Sequence, residues 1–133
     1  MKKFKKSILA TLLFTLVLAG VTAVNAETFE VIVTKLEDGE SLKVNKIAGY
    51  NAGQVKVEEM SNQGKQYVMW IEKCDTGANV SPQVGFSSPC SKILVYQKPV
   101  YISQGYNAKL NISTALTTFD SCTLSGTWTP NSY

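Results

Sequence analysis

The chain has 133 residues, with 13 lysines, no arginine, 10 acids and no histidine, and a formal charge of +3 at pH 7. Without histidine, neither a Ser-His-Asp nor a Cys-His nucleophilic arrangement can be assembled. The three cysteines lack a Cys-x-x-Cys spacing, so neither a zinc site nor any other metal or cofactor site is expected.

The chain opens on Lys2, Lys3, Lys5 and Lys6, followed by an apolar run from Ile8 to Ala19. Val24-Asn25-Ala26 then places small residues three and one positions before Glu27. A basic start, a short apolar run and small residues before a cut are the pattern of a secretory signal peptide. The run is shorter than the ~20 residues a membrane-spanning helix needs. Residues 1–26 are therefore predicted to be removed, leaving 27–133 as a single β domain without a transmembrane anchor. The mature protein is expected outside the cell, or in the periplasm of a Gram-negative host. Removal takes four of the 13 lysines, leaving nine against ten acids, a net charge of −1. A near-neutral chain has no basic stripe for phosphates, so nucleic acid is not an expected partner.

From Glu27 onward the pattern is that of strands. Phe29, Val31 and Val33 alternate with polar or exposed-parity neighbours, as do Leu42 and Val44, and then Val55 and Val57. Glu37-Asp38-Gly39-Glu40 reads as the turn between the first two. Tyr67–Ile71 is apolar at successive positions, the mark of a strand covered on both faces. Trp70 is assigned to the core with Trp128. Ile93–Tyr96 and Pro99–Ile102 follow as short extended segments, with Pro99 marking an edge or break. Gly105-Tyr106-Asn107 reads as a turn, and Ala108, Leu110 and Ile112 as an inward row. In the last strand Cys122, Leu124 and Trp128 share one face. Gly126 interrupts that row, which suggests a bulge or a close backbone approach. Seven or eight short strands predict an all-β fold, a small antiparallel β-sandwich of Ig-like or jelly-roll-like type. A small closed β-barrel is the alternative.

Two motifs invite chemistry. Asp75-Thr76-Gly77 resembles the aspartic-protease signature, but Glu72-Lys73-Cys74 precedes it where that family has an apolar strand. It reads as a turn. Asn79-Val80-Ser81 and Asn111-Ile112-Ser113 fit the glycosylation acceptor pattern and read as chance matches in a chain rich in Ser, Thr and Asn. No catalytic residue is assigned, and the protein is not expected to be an enzyme.

Cys74 and Cys90 bracket a loop rich in Gly, Pro and Ser. In an oxidising compartment they are predicted to pair, with Cys122 as the alternative partner of Cys74. The odd cysteine offers a route to oligomers. Tyr50-Asn51 and Tyr106-Asn107 sit in Gly/Asn-rich turns, and tyrosine rings beside amides suit a binding surface. These four residues are the sequence's candidates for ligand contact. The predicted function is binding, to cell-surface carbohydrate or to a partner protein, through loops. The alternatives are a secreted bacteriocin-like toxin or effector and a structural component of a surface or matrix.

Overall fold

The computed structural model describes residues 26–34, 37–114 and 121–133. Nine strands and one short helix occur among them. The strands are β1 (Glu27–Thr34), β2 (Gly39–Glu40), β3 (Val44–Lys46), β4 (Ala52–Met60), β5 (Tyr67–Lys73), β6 (Val84–Phe86), β7 (Cys90–Val95), β8 (Tyr106–Thr114) and β9 (Ser121–Ser132). Helix α1 (Pro99–Ser103) lies between β7 and β8.

One sheet has the order β1-β9-β4-β7, the other β2-β8-β5-β6, with β3 also paired to β8. All pairings are antiparallel. If β2 and β3 are counted as one interrupted strand, this is the eight-strand order of a jelly roll. Two separate sheets exclude the closed barrel, and the order selects the jelly roll over the Ig-like alternative.

Alternation places the core. Phe29, Val31 and Val33 of β1, Val55 and Val57 of β4, and Leu124 and Trp128 of β9 face inward from the first sheet. Tyr67, Met69 and Ile71 of β5 meet them from the second, with Ala108, Leu110 and Ile112 of β8. Burying such rows removes apolar surface from water, the main favourable contribution to folding. Gly126 proves to be a close approach: a Cβ there would lie 1.9 Å from the Lys56 carbonyl oxygen. The β4–β9 register shifts beside it, between Val57 and Glu59.

The structure corrects several expectations. Gly39 belongs to a strand of the opposite sheet from β1, so the Glu37–Glu40 segment carries the chain across the sandwich instead of closing a hairpin. Leu42, expected inside, is 88% exposed. Pro99–Ile102 is helical: Pro99 sits in the first turn, where its fixed φ is preorganised and its missing N–H costs nothing. Tyr106 opens β8 and is not part of a turn.

No disulfide forms, and all three cysteines are free. The segment after Cys74 runs back alongside β5, bridging Glu72 at Asn79 and pairing as β6 with Tyr67–Met69, and so returns the chain from the Lys73 end to the Tyr67 end. Cys74, just beyond Lys73, is therefore separated from Cys90 by the length of β5, roughly 20 Å at 3.3 Å per residue. Cys122 lies opposite Val33 in the other sheet, with its sulfur 3.6 Å from the Asn62 carbonyl, near the Tyr67 end. Neither pairing with Cys74 is within bridging distance.

Lys46 is fully buried. Its Nζ donates to the carbonyls of Ile102 (2.6 Å) and Gln104 (3.3 Å) and lies 5.1 and 5.7 Å from the ring centres of Tyr96 and Tyr106. Burial lowers its pKa.

Candidate functional site

Because Tyr67, Met69 and Ile71 turn to the core, strand alternation sends Val68, Trp70 and Glu72 to the outer face of the five-stranded sheet. The same rule sends Asn107, Lys109, Asn111 and Ser113 of β8 outward. The register sets Trp70 opposite Asn111 and Glu72 opposite Lys109. β2 adds Glu40 beside Asn111, and β3 adds Asn45 beside Asn107. Directly opposite side chains in such pairs have Cβ atoms about 4.5–5.5 Å apart. The face thus gathers an indole, amides, carboxylates and an ammonium group.

Trp70 corrects the sequence assignment. It is 7% exposed, yet it is absent from the hydrophobic core between the sheets and lies on the other side of its sheet. Asn111 is 1% exposed. The Trp70 Nε1 and the Asn111 Nδ2 are both shielded from solvent, and the Trp70 N–H has no hydrogen-bond partner. Such a donor carries an uncompensated desolvation cost and is uncommon in folded proteins. The Asn111 amide acts on Glu72 as a side-chain hydrogen-bond donor and favours its ionised form.

Charge on this face is arranged around Lys109. Its Nζ lies 3.0 Å from the Glu40 carboxylate, and that hydrogen bond raises its pKa. Burial pushes the Glu72 carboxyl up, Lys109 opposes this, and Glu40 and Asp38 add to it. Three carboxylates thus act on one another around one ammonium group.

Beyond the end of β5, a cleft of about 440 Å³ is lined by Lys43, Lys73, Cys74, Asp75, Gly105, Tyr106 and Asn107. Two of the sequence's candidates are here. Asn107 is exposed, and its carbonyl accepts the Cys74 N–H at 2.9 Å. Tyr106 is 8% exposed, with its hydroxyl donating to the Tyr101 carbonyl at 3.0 Å and its ring edge-on to Tyr96 at 6.5 Å. Its ring is thus part of the core and offers little face to a ligand. Tyr50 and Asn51 lie before β4, in the other sheet. The Tyr50 ring packs on Tyr133 at 4.8 Å, and the Asn51 backbone bonds to Ser132 and Tyr96. The structure divides the four candidates between the two sheets.

Asp75-Thr76-Gly77 is a turn after β5. Gly77 has φ +71° and donates its N–H to the Lys73 carbonyl, while Thr76 accepts the Ala78 N–H at 3.3 Å. Asn111, one of the two acceptor-pattern asparagines, lies buried in the middle of β8. Among the described residues no three His, Cys, Asp or Glu side chains gather as a metal site, and no helix is long and apolar enough to cross a membrane.

No protein-family model matches the chain, and no curated protein matches it significantly. Solved structures do resemble it. A xylanase, Xylanase10C (mutant E385A) from Cellvibrio japonicus in complex with xylopentaose, aligns with a TM-score of 0.51 at 8% identity. The alignment covers 77% of this chain but 22% of the xylanase chain, so the likeness is to one part of a much larger protein. The xylan-binding module CBM15 aligns with a TM-score of 0.48 at 9% identity over 79% of this chain and 77% of its own. A low-affinity xylan-binding module, CBM86 from Roseburia intestinalis, gives 0.47 at 11% identity, over 80% of this chain and 95% of its own. At these identities the likeness is one of fold, an antiparallel β-sandwich.

Proposed function

We propose that this protein is an exported, non-catalytic carbohydrate-binding domain whose ligand docks on the outer face of the five-stranded sheet. The observation that carries the reading is the buried, unpartnered Trp70 Nε1 on that face, beside the Asn111 amide and the carboxylates of Glu40 and Glu72. Sugars present hydroxyls that both donate and accept, and ring oxygens that accept, so one glycan can satisfy both kinds of group. A compact set of polar groups around an aromatic residue is how small-ligand sites fix orientation. This reading puts the ligand on the sheet, where the sequence reading put it on loops. Export rests on the signal-peptide pattern of residues 1–26 and agrees with β1 beginning at Glu27, directly after the expected cut.

Affinity electrophoresis of the purified protein against a panel of soluble plant and bacterial polysaccharides tests the reading. Retardation by at least one polysaccharide, lost in Glu72→Ala, is the expected result. Unretarded migration on every gel of the panel overturns it.

A further inference from the structure

We infer that Trp70 engages the ligand through its indole N–H and not by ring stacking, and that the ligand is a neutral, hydroxyl-rich glycan and not an acidic one. The inference rests on the carbohydrate-binding reading and gives that site its chemistry.

The first part follows from exposure. A stacking platform needs an open ring face, and Trp70 is 7% exposed. What the side chain lacks is a partner for Nε1. Indole N–H is a donor only, so its partner must be an acceptor. The Asn111 amide, directly across the β5–β8 pair, is a second donor and is directed at Glu72. Two adjacent donors suit two neighbouring oxygens of one sugar. Both are shielded from solvent in the free protein, so a ligand that fills them must displace what shields them, and binding must alter the surroundings of the indole.

The second part follows from charge. Asp38, Glu40 and Glu72 act on this face, and Lys109, the ammonium group among them, is already engaged by Glu40 at 3.0 Å. A carboxylate or sulfate on the ligand would meet this negative field in a partly desolvated place, where like charges repel more strongly than in water. A hydroxyl can instead donate to Glu72 while its oxygen, or the ring oxygen, accepts from Trp70 or Asn111.

The test is a calorimetric and fluorescence titration of the wild type and of Trp70→Phe with neutral xylo- and gluco-oligosaccharides and with acidic oligogalacturonates. The wild type should bind a neutral oligosaccharide at least tenfold more tightly than the acidic ones, with a change in indole emission that Trp70→Phe abolishes. Trp70→Phe keeps a ring and removes the donor. Its affinity should fall about 5- to 10-fold, the scale of one neutral hydrogen bond. Its melting temperature should hold or rise, because an unpaired buried donor has gone. If Trp70→Phe fails to fold, benzothienylalanine at position 70, with sulfur in place of the N–H, should give the same loss of affinity. Wild-type affinity in the donor-free variant overturns the N–H role. Tighter binding of oligogalacturonate overturns the neutral-ligand assignment while leaving carbohydrate binding intact. Failure of the wild type to bind any sugar overturns the underlying reading as well.

Discussion

At position 126 a single hydrogen atom decides whether two strands can pair. A Cβ there would sit 1.9 Å from the Lys56 oxygen and 3.2 Å from the Glu58 nitrogen. Both are backbone atoms, held between β9 and β7 in the middle of a sheet, so neither can swing away as a long side chain would. Gly126→Ala must push β4 from β9 at the register shift, and should destabilise the protein by about 3 kcal/mol, the upper end of overpacking costs. Urea denaturation checks this, and a variant within 0.5 kcal/mol of wild type would show that the strands separate more freely than this packing allows. The position was legible in the sequence, as a glycine interrupting an inward row. The cysteines were not. Spacing brought Cys74 and Cys90 together only on the assumption that the loop returns to its starting point, whereas the segment from Asn79 to Phe86 first carries the chain back alongside β5 from Glu72 to Tyr67. The structure therefore predicts three thiols per chain on titration in denaturant. In the native protein Cys122, at 0% exposure, should be protected. Cys74 and Cys90 should react slowly near neutral pH, since burial raises both their pKa values and the thiolate is the reactive form. Recovery of only one thiol from the unreduced, denatured protein would mean that a bridge forms after all.

Among the elements, α1 and β5 show where pattern reading stops. A helix of five residues is too short to display a helical period, and Val100, Tyr101 and Ile102 are residues that favour strands. Its position is instead set from outside. No residue of α1 is buried, and the segment is tied down by the Lys46 ammonium on the carbonyls of Ile102 and Gln104. The rings of Tyr96 and Tyr106 complete the ammonium's surroundings. Lys46→Met retains the buried stem but removes the tie. Amide exchange at Tyr101 and Gln104, which hold the helical turns through Lys98 and Val100, should speed up at least tenfold. Exchange in β8 should change far less. Equal acceleration in both would show that Lys46 supports the whole sandwich. In β5 the error was one of parity. An uninterrupted apolar run hides which face is which, and the deciding residue is the next one: Glu72 shares the face of Trp70. A partly exposed carboxylate two positions away marks Trp70 as lying on the outer side. Asn111 carried the same information on β8, alternating with Leu110 and Ile112, but a buried outward amide acquires meaning only when its neighbour across the sheet is known.

For the molecule as a whole, alternation was enough to predict a two-layer antiparallel sandwich, because half-buried strands must cover one another's apolar rows. It was not enough to predict the strand order, since the β1–β9 and β5–β8 pairings join distant parts of the chain. Closing those rows buries three phenols between the sheets, and this gives the sandwich a specific alkaline limit. Tyr67, Tyr96 and Tyr106 are 0%, 4% and 8% exposed, and burial raises the pKa of each well above that of a free phenol. Each hydroxyl donates to a carbonyl, of Asn62, Pro130 and Tyr101 respectively, a bond available only to the protonated form. In the unfolded chain the same groups titrate near pH 10. Above that pH the native state retains protons that the unfolded state has lost, so stability falls as pH rises. Lys46 has the opposite sign. Its pKa is lowered in the fold, so between that value and ~10.4 the unfolded chain binds more protons and stability rises with pH. The two effects nearly adjoin, and the tyrosines dominate beyond pH 10, at up to about 1.4 kcal/mol per pH unit for each of three groups. Chemical denaturation followed from pH 7 to 12 should show stability level or rising to about pH 10, then falling by about 4 kcal/mol per unit. Phenolate absorbance near 295 nm should show the buried three, Tyr67, Tyr96 and Tyr106, ionising together as the protein unfolds. Ionisation of these three near pH 10, with the fold intact, would mean that the sandwich does not hold them out of water.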